Sequence, residues 1–181
     1  MANNAKKIIL GVTGSIAAYK ACEILRRLMD QGMEVCVVMT ESAREFITPV
    51  TFAALSGNKV FTSMFDEGEY ISHIALGQEA DLLLIAPATA NIIGKIANGI
   101  ADDLLTCTVL ATKAPVMIAP AMNTNMYENK IVQENCAELK KRGFLFVEPI
   151  DGKLACGKQG KGHLADIDII VQAVKDVLLK H

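Results

Sequence analysis

The chain has 181 residues, 51% of them hydrophobic and 21% charged, with a formal net charge of −2. That length predicts a single domain over residues 1–181 with a substantial core. The small negative charge excludes a general nucleic-acid binder, and 5% aromatic residues with no Trp exclude a base-stacking surface.

Five cysteines, an odd number spread through predicted helices and strands, suit a reducing compartment better than a disulfide framework. No CxxC or spaced His pair suggests a metal site. The apolar stretch after MANNAKK is too short for a signal sequence, and no apolar run reaches membrane length. A soluble, cytoplasmic protein is expected, without a membrane or nucleic-acid partner. Apolar surface beyond what one small domain can bury argues for a homo-oligomer.

In chain order, Lys6 to Val12 (KKIILGV) reads as a buried parallel strand. Thr13-Gly14-Ser15 follows, then a helix over IAAYKACEILRRLMDQG that ends at Gly32. Met33 to Met39 is the second strand. A strand–turn–helix unit of this kind aims backbone N–H groups where a phosphate can sit. Gly14 permits close backbone approach, and Ser15 can cap the helix or donate to a phosphate oxygen. Gly11 and Gly14 make only GxxG, an incomplete dinucleotide fingerprint, and a plain tight turn explains the same residues. Thr40-Glu41-Ser42 is a second turn at a strand end, where Glu41 keeps a ribose-binding nicotinamide module among the alternatives. Residues 41–57 read as helix interrupted at Thr48-Pro49, and residues 58–68 as irregular. His73, within YISHIAL, reads either as a packed residue or as a base poised near neutral pH.

Asp81 to Ala86 (DLLLIA) is a third buried strand ending at Pro87, followed by polar Thr89 and Asn91, the latter a candidate helix cap. The next helical stretch is broken near Gly99. Ala114 to Ala119 is a further strand that opens into PAMNTNMY, residues 120–127. Met122, Asn123, Asn125 and Met126 thereby stand just past a strand's carboxyl end, which faces the ligand crevice in parallel α/β sheets. The Asn123 amide offers a donor and an acceptor without charge, suited to a carboxylate or a flavin edge. The competing reading is an Asn-capped connection with methionines as filler. Helix NKIVQENCAELKKRG, strand Phe144 to Glu148 and an amphipathic helix from Asp166 to Lys180 complete the pattern. Strands alternating with helices specify an α/β fold, a three-layer Rossmann-like or flavodoxin-like parallel sheet with helices on both faces.

Before the last helix, Asp151 to Leu164 (DGKLACGKQGKGHL) reads as a mobile glycine-rich loop. Its lysines, Lys153, Lys158 and Lys161, could close over a phosphorylated substrate. Cys156 lies among them, where a thiol is placed for chemistry. Cys22, Cys36, Cys107 and Cys136 fall on predicted elements and read as inert filler.

Five segments in order, GVTGSIAAYK, SHIALG, APATANIIGKIANGIADDLLT, PAMNTNMY and LACGKQGKG, resemble the flavin-containing cysteine decarboxylases over nearly the whole chain. The resemblance is to those members that act on 4′-phosphopantothenoylcysteine in coenzyme A biosynthesis. It implies a carboxy-lyase with FMN, in a homo-oligomer built from trimers, up to a dodecamer, with sites at subunit contacts. It carries the catalytic base to His73, substrate-carboxylate binding to Asn123 and the proton donor of a reductive step to Cys156. Gly14, Ser15, Ile16, Thr40, Ser42, Thr89, Asn91 and Met122 match the flavin-contacting turns. Asn123, Met126, Lys153, Leu154 and Ala155 match substrate-binding positions. The implied route oxidises the thiol-bearing carbon to a thioaldehyde, which places C=S β to the carboxylate. CO2 then leaves to give an enethiolate, and a returned hydride with a proton from Cys156 gives 4′-phosphopantetheine. The cycle is redox-neutral and needs no external nicotinamide.

One position departs from the family. Where many relatives have Gly-x-Gly-Arg, this chain has Gly160-Lys161-Gly162-His163, without the bidentate guanidinium. Nearby lysines are the expected replacement. The alternatives are a peptidyl-cysteine decarboxylase, which would not need Cys156, and a flavin-binding regulatory subunit, whose acidic or extended tails are lacking. A flavin prenyltransferase has neither PAMNTNMY nor the cysteine loop. Many relatives are fused to a synthetase that makes the substrate. The sequence fits both a free-standing decarboxylase and a domain of such a fusion.

Overall fold

The longest apolar runs of the chain form the middle of a six-stranded parallel sheet. In the computed structural model, residues 5–65, 72–153 and 159–180 are described, with the backbone alone for Ser72, His73, Lys153 and Gln159. The elements begin with β1 (Lys7–Val12), a 3-10 turn (Ile16–Tyr19), α1 (Lys20–Asp30), β2 (Glu34–Met39), α2 (Glu41–Arg44) and α3 (Pro49–Ser56). They continue with β3 (Val60–Phe61), α4 (Ser72–Glu79), β4 (Leu82–Ala88), α5 (Ala90–Ala97), α6 (Leu104–Ala111) and β5 (Val116–Pro120). The last are α7 (Thr124–Tyr127), α8 (Lys130–Lys141), β6 (Leu145–Phe146), β7 (Ile150–Lys153), β8 (Gln159–His163) and α9 (Ile167–Leu178).

The main sheet has the order β3-β2-β1-β4-β5-β6, the doubly wound arrangement of the Rossmann-like folds. Because side chains alternate along a strand, each strand serves two cores. Ile8, Leu10 and Val12 join Leu25 and Leu28 of α1 and Ile170 and Val174 of α9. Ile9 faces the opposite layer, with Ile92 of α5, Leu105 of α6 and Leu139 of α8. Strand β4 is buried along its whole length, as a strand covered on both faces must be. Each of its Leu and Ile side chains contributes about 1.5–3 kcal/mol on burial.

Several boundaries differ from the sequence reading. β4 continues through Pro87 to Ala88, with a register shift between Ile85 and Ala88. The first predicted helix divides into the 3-10 turn and α1. The segment read as irregular holds β3, a two-residue strand paired with Val37 and Val38. The break near Gly99 is completed by a capping box, in which Asp103 Oδ1 accepts from Thr106 N at 2.8 Å and Thr106 Oγ1 accepts from Asp103 N at 3.1 Å. Among the described residues, no helix is long and apolar enough to cross a membrane.

Candidate active site

The chain leaves β1 to build a helix on one face of the sheet and leaves β4 to build one on the other. The carboxyl ends of these neighbouring strands therefore open a crevice. A buried hydroxyl joins the two ends. Thr13, 1% exposed, donates from Oγ1 to the Pro87 carbonyl at 2.7 Å and accepts there from Thr89 N at 3.1 Å. Gly14 follows, and a Cβ at that position would lie 2.5 Å from Ser42 Cβ. Its lack of a side chain brings the β1 turn against the β2 turn. Gly11 has another reason to be glycine. It sits inside β1, where a Cβ would approach Leu105 Cδ1 to 2.7 Å, so it makes room for α6.

Ser15 caps the 3-10 turn, its Oγ accepting from Ala17 N at 3.3 Å. Ile16 and Tyr19 project outward, 60% and 61% exposed. Thr40 occupies the cap position of α2 without a capping bond, and its Oγ1 is buried with no hydrogen-bond partner. Thr89 is the cap of α5, accepting from Ile92 N at 3.3 Å. Asn91, the candidate cap from sequence, instead lies within the first turn and is exposed.

Beyond β5, Ala121 N donates to the Ala88 carbonyl at 2.9 Å, and Met122 N donates to the Gly162 carbonyl at 2.9 Å. Asn123 caps α7, its Oδ1 accepting from Asn125 N at 2.9 Å. The capping reading of this Asn is thus correct, and the same residue also lines the crevice. Tyr127 anchors the segment from below. It is buried, and its hydroxyl donates to Glu148 Oε2 at 2.7 Å. Burial, reinforced by that bond, pushes the phenol well above its ordinary range.

The glycine-rich stretch, expected as a loop, has strands at both of its arms. These are β7 and β8, paired antiparallel with Gly152 opposite Gly160. Two close approaches seat the hairpin on the Met122–Thr124 segment. A Cβ on Gly160 would lie 2.7 Å from Thr124 Oγ1, and one on Gly162 would run into the Met122 carbonyl oxygen. Leu154, Ala155, Cys156 and Lys158 lie outside the described residues, and Lys153 is described only as the end of β7.

These elements enclose a cleft of about 500 Å3. Of the residues expected from sequence, Gly14, Ser15, Ile16, Thr89, Met122, Asn123 and Met126 line it. Thr40, Ser42 and Asn91 do not, although Ser42 touches Gly14 from behind. His73 belongs to α4, which packs on α6, and no described side chain of α4 lines the cleft. Tyr19 and Lys20 line it and were not expected. Their signal was present in GSIAAYK, where both follow Ile16 within about one turn. A smaller cavity of about 240 Å3 lies at the amino ends of β1 and β2. The charge it presents is partly neutralised by a Lys7–Glu79 ion pair at 2.8 Å.

A family profile described as Flavoprotein matches residues 1–179. A bifunctional coenzyme A biosynthesis protein of Bacillus subtilis is 51% identical over 174 residues, which cover 95% of this chain and 43% of that protein. A probable phosphopantothenoylcysteine decarboxylase of Streptococcus mutans is 47% identical over 177 residues, covering 96% of this chain and 99% of that one. The chain therefore spans less than half of the first relative and nearly all of the second. Among solved structures, the FMN-dependent cysteine decarboxylase SpaF matches with a TM-score of 0.84 at 36% identity, covering 97% of this chain and 96% of its own. A cysteine-to-serine mutant of a phosphopantothenoylcysteine decarboxylase, complexed with pantothenoylaminoethenethiol, matches with a TM-score of 0.83 at 32% identity, with 95% and 97% covered.

Proposed function

This chain belongs to the flavoprotein family, and we propose that it is an FMN-dependent decarboxylase that converts 4′-phosphopantothenoylcysteine to 4′-phosphopantetheine. The observation that carries the reading is the cleft in which the Gly14–Ile16 turn, Thr89 and the Met122–Met126 segment meet. The relative of nearly equal length, a probable phosphopantothenoylcysteine decarboxylase at 47% identity, supports it. The cleft's residues fit a flavin nucleotide. Its volume of about 500 Å3 is that of a cofactor site. Gly14 brings the β1 turn against Ser42, where a side chain would clash, and the Thr40 hydroxyl of the same β2 turn is buried without a partner. Gly14 and Ser15 would hold the phosphate, Ile16 and Met122 the ring, and Thr89 the adjoining wall; Thr40, Ser42 and Asn91, which do not line the cleft of this chain, are proposed as contacts from the family resemblance alone. Bound FMN supplies a two-electron sink and source.

The other roles belong to the protein. Asn123 grips the substrate carboxylate through its amide. An uncharged group is apt here, because a lysine or arginine would stabilise the ground-state carboxylate that the reaction must discharge as CO2. Met126 forms the apolar wall beside it, and Lys153, Leu154 and Ala155 are the further substrate-binding residues. His73 is the base of the oxidative half-reaction, and Cys156 donates the proton of the reductive half. That no described side chain of α4 lines the cleft of its own chain supports an active site completed by a second copy. The assembly is a cytoplasmic homo-oligomer built from trimers, each chain one domain over residues 1–181. Exposed Ile16 and Tyr19 at the cleft supply apolar contact area for it.

The test is the mass of the product formed from 4′-phosphopantothenoylcysteine by the protein as purified, with no cofactor added. Loss of CO2 alone is expected. A product lighter by a further two hydrogens would mean a reaction that stops at the enethiol, and an unchanged substrate would overturn the reading.

A further inference from the structure

We propose that Lys20 and His163 together form a phosphate-monoester subsite at the wall of the cleft. The proposal rests on the reading of this cleft as the decarboxylase site and concerns which group of a ligand it recognises. Lys20 opens α1 and His163 closes β8, 143 positions apart, yet Lys20 Nζ lies 3.3 Å from His163 Nε2. Both side chains are half-buried and line the cleft. An ammonium can only donate, so the imidazole nitrogen facing it is the acceptor. The pair therefore keeps a net positive charge directed at the cleft.

Among the described residues, no carboxylate pairs with either group. The contrast with Lys95 is informative. That half-buried lysine is held by Asp102 and Asp103, at 2.7 and 3.2 Å. There the partly desolvated cation is balanced by acids. Lys20 is set against an imidazole instead of a carboxylate, an arrangement that leaves its charge for an anionic ligand. Of the hairpin lysines, Lys161 has its Nζ over the Tyr127 ring, 5.8 Å from its centroid. Among the described residues, α1 supplies a cation to the cleft lining through Lys20. His163 is held in place by its neighbours. A Cβ on Gly152 would stand 3.3 Å from its Cγ, and adjacent Gly162 accepts from Met122 N. The pair thus shares a wall with Asn123, so one ligand can reach both.

A terminal phosphate monoester could come from the substrate or from FMN, and the variants Lys20→Met and His163→Gln separate the two. One arm compares kcat/KM for phosphorylated and unphosphorylated pantothenoylcysteine. A second compares binding of 4′-phosphopantetheine and pantetheine to flavin-loaded protein by calorimetry. A third compares the affinities for FMN and riboflavin. Each variant should reduce the preference for the phosphorylated partner roughly tenfold, while Lys20→Arg should retain most of it. A fall in the first two arms assigns the subsite to the substrate. A fall confined to the third assigns it to the cofactor. Preferences unchanged in all three arms, in both variants, would overturn the subsite. Should the wild-type protein turn over neither substrate, the decarboxylase reading fails, and the binding arms still decide the fate of the pair.

Discussion

Thr13 shows how one hydroxyl can set a site it does not enter. It stands at the end of an otherwise hydrocarbon strand and satisfies Pro87 and Thr89 across the gap between β1 and β4. Valine has the same shape without the hydroxyl, so Thr13→Val would leave a buried carbonyl and a buried N–H unpaired, at about 1–3 kcal/mol. The expected outcome is a lower Tm together with weaker flavin retention on dilution, with Thr13→Ser close to wild type in both. Undiminished flavin affinity in Thr13→Val would remove Thr13 from the positioning of Thr89. Sequence reasoning saw Thr13 only as part of a turn, because its partners lie 74 and 76 positions away. It also chose Asn91 over Thr89 as cap. Both types cap well, and where the helix begins depends on where β4 ends, which its extension through Pro87 shifts.

Among the elements, the β7–β8 hairpin departs most from its sequence pattern. Four glycines in fourteen residues read as a loop because glycine has poor strand propensity. Two of them serve contact instead: Gly160 clears Thr124, and Gly162 clears the Met122 carbonyl with φ at +143°. An alanine at Gly162 would meet both a steric clash and a backbone conformation that costs about 1–3 kcal/mol for an L-residue. Gly162→Ala should therefore detach the hairpin from the Met122–Asn123 wall. Substrate KM should rise by at least tenfold, while the flavin contacts of the β1 and β4 turns stay in place. An unchanged KM would show that this docking plays no part in substrate capture.

For the whole molecule, the order of strands decides which turns meet; α4 packs on α6, and none of its described side chains lines the cleft. If one copy contributes His73 and another Asn123, then His73→Asn and Asn123→Ala are each inactive alone. Refolded together, they should regain activity, because about a quarter of sites in randomly mixed rings receive both native residues. Mixtures as inactive as the separate variants would place the two residues on one chain. Composition and periodicity by themselves determined the buried strands, the α/β class and the turns rich in small polar residues. Those are local consequences of apolar runs and of glycine, serine and asparagine chemistry, and they are legible over a few residues. The resemblance of five segments to one family added the candidate roles. Only the tertiary structure decided that β1 lies beside β4, that Thr13 joins them, that the glycine-rich stretch is a docked hairpin and that Lys20 meets His163. Each is a pairing across a long stretch of chain, and such contacts are fixed by how the sheet packs its two cores, which no local window contains.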